Sequence, residues 1–381
     1  MKDLAQIRER IDHIDREISR LFLERMEASA DVAEYKRATG KPIYDPIRER
    51  ANIAAASDRV PAEYASYAAV LQSVLMDASR EAQHKALDRT SDVAKAVQEA
   101  LAASPAYFPE QATVVCQGVE GAYQQIACER MFRRPSISFV ESFGNVMTAV
   151  EQGEADFGVL PIENSTAGSV NLVYDLLRRH ECHIVRSCRL RVDHNLLVRP
   201  GTRLEDVRVV YSHEQAIRQC AEYIARIPDC RIHVCENTAK AAELVSKSDH
   251  NDVAAIASRS CAAIYGLEVA DRTIQDSQSN YTRFVCLAKD LVIYPGADRT
   301  SLMVVTSHEP GALYNVLARF YSLGINLLKL ESRPIPNRDF EFMFYFDIDC
   351  QVAAPVFETL MNSLSDVCEE FRYLGSYSEV F

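Results

Sequence analysis

"TVVCQGVEGAYQQIACERMF", residues 113–132, reads as a buried strand, a glycine-marked turn and a helix, and residues 207–225, "VRVVYSHEQAIRQCAEYIA", run through the same order again. The first copy goes on through "SISFVESFGNVMTAVEQG" (136–153) and "ADFGVLPIENS" (155–165), the second through "RIHVCENTAKAAELVSK" (231–247) and "DVAAIASRSCA" (252–262). Two successive α/β units between 113 and 290 predict two lobes with a cleft between them. Each strand-to-helix turn exposes backbone N–H groups at a helix start, which favours an anion. A carboxylate ligand in the cleft is the expectation.

Upstream of the repeat the pattern is helical. Apolar residues step along Leu4, Ile7, Ile11, Ile14, Ile18 and Leu21, and no Gly or Pro interrupts the chain until "GKP" at 40–42. A helix over 4–39 would be about 54 Å long, more than a domain of this size can cover. Further helices are expected near 46–57 and 61–87. The layout predicts an all-α domain over 1–90 that buries its long seam by dimerising. A linker follows over 91–111, ending in "SPAYFPE". Downstream, 299–381 reads strand, helix, strand, strand, helix, strand, the α+β ferredoxin-like order.

With 42 Lys and Arg against 54 Asp and Glu, the net charge is −12, which argues against nucleic acid or an anionic membrane surface as a partner. The charged N-terminus and the lack of a long apolar run predict neither signal peptide nor membrane span. The 11 cysteines include no CxxC pair and fit free thiols in the cytoplasm. His180, Cys182 and His183 lack a fourth ligand, so no metal is expected.

The seam of the first helix carries one charge, Arg25, and burying an unpaired guanidinium costs several kcal/mol. Lys36, eleven residues on, points almost the same way about 16 Å along the axis, while Arg8 lies a quarter turn aside. Asp45, Arg48 and Glu49 share the start of the second helix, and Ser79 and Gln83 lie at i, i+4 on the third. Together these residues resemble the α-helical chorismate mutase family over about 4–87. That resemblance implies that Arg25, with Arg8 from a second subunit, holds the substrate's two carboxylates. It implies further that Lys36 and Gln83 donate to the ether oxygen, that Glu49 contacts the hydroxyl, and that Asp45, Arg48 and Ser79 complete the pocket. A pericyclic rearrangement needs no nucleophile or cofactor, only a held conformer and donors at the breaking ether.

In the middle segment "GVEGAY" (118–123), "GVLPIENSTAGSV" (158–170), "VYSHEQA" (210–216) and "IQDSQSNYTRF" (274–284) occur in the order that resembles prephenate dehydratases. The resemblance implies a two-lobed fold like that of periplasmic binding proteins and makes Thr282 the catalytic residue. Arg283 and Phe284 complete its motif, and Glu163, Asn164, Ser165, Ser212, His213 and Gln215 bind substrate. Gln124 departs from the small residue usual after this tyrosine. At the C-terminus "EPGALYNVL" and "LESRP" resemble the phenylalanine-binding ACT domain, which implies an effector site at Gly311, Ala312, Leu313, Glu331, Ser332, Arg333 and Pro334.

The whole chain therefore reads as converting chorismate to prephenate and on to phenylpyruvate, without cofactor and under phenylalanine feedback, as a homodimer or higher oligomer. A fusion to prephenate dehydrogenase is disfavoured because no GxGxxG is present. A non-catalytic aromatic-acid sensor and a dehydratase that also takes arogenate are the alternatives.

Overall fold

The computed structural model describes residues 3–87, 90–277, 279–336 and 338–380. The chain begins with helices α1 (Leu4–Thr39), α2 (Pro46–Asp58), α3 (Ala65–Leu87) and α4 (Asp92–Ala102). It continues through β1 (Gln111–Gln117), α5 (Tyr123–Met131), β2 (Arg134–Val140), α6 (Phe143–Gln152), β3 (Phe157–Asn164), β4 (Gly168–Ser169), α7 (Asn171–Arg179) and β5 (His183–Arg191). Next come β6 (Asn195–Val198), β7 (Val209–His213), α8 (Glu214–Gln219), α9 (Ala221–Ile224), β8 (Arg231–Cys235), α10 (Thr238–Ser246), β9 (Val253–Ala257), α11 (Ser260–Tyr265) and β10 (Glu268–Asp271). The last elements are β11 (Tyr281–Ala288), β12 (Arg299–Val305), α12 (Ala312–Ser322), β13 (Asn326–Pro334), β14 (Phe342–Asp349), α13 (Pro355–Val367), β15 (Glu370–Tyr377) and β16 (Glu379–Val380).

These elements form two compact units, and the first comprises Met1–Ala96, Thr306–Gly324 and Ala354–Phe371. Asp3 caps α1 by accepting from the Ala5 N–H, and Gly40 ends it in the left-handed conformation, returning its N–H to the Lys36 carbonyl. Asp45 caps α2 with Pro46 at the first helical position. The C-terminal half of α1 lies on α3, burying Ser29 and Ala33. Its N-terminal seam, expected to be buried, is open in the single chain: Leu4, Ile7, Ile11, Ile14, Ile18 and Leu21 are each 40–58 % exposed. The bundle is too short to reach them. Helices α12 and α13 join this unit, where Arg319 Nη2 donates to Asp77 at 2.9 Å and Asp366 meets His84.

The second unit is Val97–Val305, Ile325–Ala353 and Arg372–Phe381. Its first lobe is a seven-stranded sheet in the order β16-β5-β11-β3-β1-β2, with β4 beside β3. Its second lobe is a five-stranded sheet, β10-β6-β9-β7-β8. The chain leaves the first sheet after β5, builds the second, and returns through β11, antiparallel between β5 and β3. Both α/β repeats fold as the pattern predicts.

The C-terminal strands form a four-stranded sheet, β13-β14-β12-β15, the second-third-first-fourth order expected of βαββαβ. The segment 299–381, expected as one domain, is divided between the two units. On the strand side the reason is a shared core: Met303, Val305, Met343 and Tyr345 cluster with Leu160, Leu177, Ile184 and Val285 of the first lobe. Each such side chain contributes roughly 1.5–3 kcal/mol through burial. The chain end then adds β16 parallel to β5.

Gly375 permits that approach. It sits at φ 143°, and a Cβ there would stand 2.1 Å from the Ile184 carbonyl oxygen. Backbone cannot rotate out of the way, so Gly375→Ala should cost about 3 kcal/mol or more. Urea unfolding checks this, and a loss below about 1 kcal/mol would refute the contact.

Candidate functional site

In the helical bundle, Arg25 Nη1 donates to the Leu75 carbonyl at 2.7 Å and to Ser79 Oγ. Ser29 Oγ, which sequence reading missed, lies 3.0 Å from Ser79 Oγ. Among the described residues no carboxylate is within ion-pair distance of Arg25, and burial lowers its pKa. The guanidinium is partly desolvated and its partners among the described residues are neutral, a condition that favours an anionic ligand. Lys36 Nζ donates to the Ile43 carbonyl at 2.6 Å; burial lowers its pKa, opposed by Asp45 and Glu49. Gln83 is 6 % exposed; its Nε2 donates to the Ser79 carbonyl, and its buried Oε1 has no partner among the described residues. A buried orphan acceptor costs about 1–3 kcal/mol unless something fills its valence.

Asp45 Oδ1 accepts from the Arg48 N–H, while the Arg48 side chain is exposed. Glu49 pairs with Arg80, a buried arginine that the sequence reading also missed and that bridges to Asp77. Arg8 lies 17 residues before Arg25, about 25 Å along the helix. Within one chain it does not reach this cluster. A cavity of about 650 Å³ opens beside Tyr44, Glu49 and Arg80 and is also lined by Gly311, Ala312 and Arg319. Leu313 follows, half-buried, in the first turn of α12.

In the two-lobed unit, β3 and β11 align Asn164 with Thr282 and Glu163 with Arg283. Asn164 Nδ2 donates to Thr282 Oγ1 at 2.9 Å and to Asn280 Oδ1 at 2.8 Å. Its Oδ1 accepts from the Thr166 and Ala167 N–H groups, fixing the turn. Ser165 Oγ donates to the Ser279 carbonyl at 2.7 Å, tying the turn to the strand that carries Thr282. Asn280 Nδ2 reaches Gln219 Oε1 at 2.9 Å, and His194 Nε2 lies 3.0 Å from the same oxygen. Asn280, Gln219 and His194 were not read as site residues: Asn280 opens the "NYTRF" stretch, but Gln219 and His194 have no local signal. Between the Asn164 turn and the start of α8 lies a cavity of about 500 Å³, lined by Thr166, His213, Gln215, Gln219 and Asn280 among others.

Four expected lining residues are placed elsewhere, the first being Glu163, which the pleat turns with Arg283 onto Lys329. Ser212 is fully buried and donates to the Ile256 carbonyl at 2.7 Å, since strand alternation turns it from the cleft when His213 faces it. Phe284 is in the core beside Val114 and Ala127. Arg283 is 4 % exposed and is held by Glu163 at 3.0 Å and by Asp347. Its guanidinium supports the site from behind. Gln124 is buried, its amide donating to Gln117 at 3.2 Å. On β13, Glu331 accepts from Ser169 and Arg333 pairs with Asp175 at 2.8 Å, while Ser332 and Pro334 are exposed on the other face.

Burial lowers the pKa of His183, His194 and His213. His213 Nδ1 accepts from the Gln215 N–H, a bond that needs the neutral ring. Below the ordinary value of 6.5 the unfolded chain binds more protons at these positions than the native one. Their stabilisation is therefore full above that pH and is lost as pH falls through the lowered native values. The urea midpoint should drop as pH falls below 6.5, and a flat midpoint would contradict this.

The chain thus joins an α-helical bundle with partly buried cations to a two-lobed α/β unit with a polar cleft. The family model for chorismate mutase type II matches residues 7–84, and that for prephenate dehydratase matches residues 114–291. The bifunctional chorismate mutase/prephenate dehydratase of Escherichia coli K12 is 30 % identical over 98 % of this chain and 96 % of its own length. Among solved structures, a quorum-quenching acylase, GqqA, matches with a TM-score of 0.64 at 30 % identity, over 70 % of this chain and 97 % of its own. A prephenate dehydratase from Arthrobacter aurescens, solved with L-Phe, matches with a TM-score of 0.63 at 28 % identity, over 70 % of this chain and 90 % of its own. The chain belongs to the bifunctional chorismate mutase/prephenate dehydratase family. It is both an isomerase and a carbon–oxygen lyase, converting chorismate to prephenate and prephenate to phenylpyruvate with loss of water and carbon dioxide.

Proposed function

We propose that chorismate rearranges in the helical bundle, its carboxylates held by Arg25 and by Arg8 of a second copy of this chain. Lys36 and Gln83 donate to the ether oxygen as its bond breaks, Glu49 accepts from the hydroxyl, and Asp45, Arg48 and Ser79 close the pocket. The exposed seam of α1 and the 25 Å separation of Arg8 from Arg25, an estimate of about 1.5 Å per residue, support a homodimer as the working form. The eleven free cysteines support a cytoplasmic site of action.

Prephenate is then held in the cleft near Asn164, Ser165, His213 and Gln215. Its ring carboxylate leaves as carbon dioxide, and the electron pair enters the ring and expels the ring hydroxyl, which takes a proton from Thr282 and departs as water. The observation that carries this reading is the Asn164 amide donating to Thr282 Oγ1 at 2.9 Å. With a lone pair occupied, the hydroxyl is oriented to give its own proton away.

The C-terminal module is proposed to be an ACT domain that binds phenylalanine and inhibits by population shift. The βαββαβ strand order and the L-Phe complex of the Arthrobacter aurescens relative support it.

The test is to supply the purified chain with chorismate alone and follow prephenate and phenylpyruvate. Phenylpyruvate as end product, with turnover suppressed by added phenylalanine, is expected. Unchanged chorismate would overturn the bundle site, and accumulating prephenate the cleft site. Arogenate supplied in place of prephenate tests the second substrate.

A further inference from the structure

Four charges run in a line behind the Thr282–Asn164 pair: Lys329, Glu163, Arg283 and Asp347. Glu163 and Arg283 are the strand neighbours of Asn164 and Thr282, and they face each other across β3 and β11. Arg283 Nε is 3.0 Å from Glu163 Oε1, and its Nη2 donates to Asp347 Oδ2. The other oxygen of Glu163 accepts from Lys329 Nζ, which also donates to Ser169 Oγ at 2.9 Å on the strand beside β3. The other oxygen of Asp347 accepts from Ser301 Oγ, itself 2.7 Å from the Tyr377 hydroxyl. Two cations and two anions alternate, so the line is neutral as it stands and becomes charged when any one member is removed.

Lys329 and Asp347 lie on β13 and β14, outside the prephenate dehydratase match at 114–291. We propose that Lys329 and Asp347 are positioning residues of the dehydratase, supplied by the C-terminal sheet to fix Glu163 and Arg283 and, through them, the Asn164–Thr282 bond. The proposal rests on the reading of Thr282 as the proton donor. Removing either end leaves Glu163 or Arg283 with one of its two charged partners, and the half-released side chain re-aims on the one that remains. Either movement shifts the backbone of β3 or β11 next to the reacting hydroxyl. Displacement of a catalytic group by about 1 Å costs on the order of 100-fold in rate.

Lys329→Met and Lys329→Arg chains are the direct test, with Asp347→Asn as a second variant at the buried end. Prephenate turnover is measured at saturating and limiting substrate, and chorismate mutase activity of the same sample serves as the folding control. In Lys329→Met the dehydratase kcat should fall on the order of 10- to 100-fold with KM changed less than about 3-fold, and mutase activity should be retained. Lys329→Arg, which keeps the charge, should recover most of the rate. Asp347→Asn should lower kcat at least as far. Dehydratase turnover within about twofold of the unaltered chain in both Lys329→Met and Asp347→Asn would overturn the proposal. So would a loss confined to melting temperature, or one that Lys329→Arg fails to restore. An unaltered chain inert toward prephenate would instead sink the reading of Thr282, and this proposal with it.

Discussion

A Thr282→Ala chain should convert chorismate to prephenate at the normal rate and then stop. In the proposed mechanism the hydroxyl gives its proton to the departing oxygen, and removing a positioned proton donor costs typically 100- to 10,000-fold. The loss should be almost wholly in kcat, because a methyl in its place leaves the rest of the cleft intact. Stability should hardly change: Asn164 Nδ2 keeps the Asn280 side chain at 2.8 Å and the Tyr281 carbonyl at 3.2 Å, so no buried donor is orphaned. A time course from chorismate with prephenate accumulating is the expected record. Phenylpyruvate forming at more than about a tenth of the normal rate would remove Thr282 from the chemistry.

Arg25→Ala should have the converse effect, abolishing prephenate formation from chorismate while added prephenate is still consumed. A desolvated guanidinium facing a carboxylate is worth several kcal/mol when one partner is removed, so kcat/KM should fall roughly 1,000-fold. The sign for stability is opposite to that of an ordinary buried ion pair. Burial already lowers the pKa of Arg25 and its partners are neutral, so its removal relieves a desolvation cost. The urea midpoint should hold or rise. Arg25→Lys should recover only part of the activity, since an ammonium lacks the fork that meets Ser79, the Leu75 carbonyl and a carboxylate together. A midpoint that falls by the equivalent of about 2 kcal/mol or more would mean Arg25 is a structural residue.

Much of this was legible locally. The α1 seam, the stop at Gly40, the caps of α2 and the two α/β repeats all follow from periodicity and turn chemistry. Arg25 was conspicuous because a charge interrupted an apolar series. Gln219 and His194 were invisible because nothing near them in sequence breaks a pattern. They matter through Asn280, 61 residues from Gln219. Arg80 was not singled out, since its partner Glu49 is 31 residues away on another helix. Arg283 and Phe284 were read as lining the cleft because they adjoin Thr282, whereas the pleat and the strand's central place in the sheet turn both into the interior.

The sequence by itself determined the α/β repeats, the helical bundle and the βαββαβ order, because these depend on side-chain period and turn residues within a few residues. Only the tertiary structure decided that β11 enters the first sheet, that the chain end adds β16 to it, and that Asp347 stands behind Arg283. Each of these is a pairing across scores of residues, and a strand's hydrogen bonds are satisfied equally well by any neighbour in register. The choice among neighbours is made by the core they jointly close, here one shared by the first lobe and the C-terminal sheet.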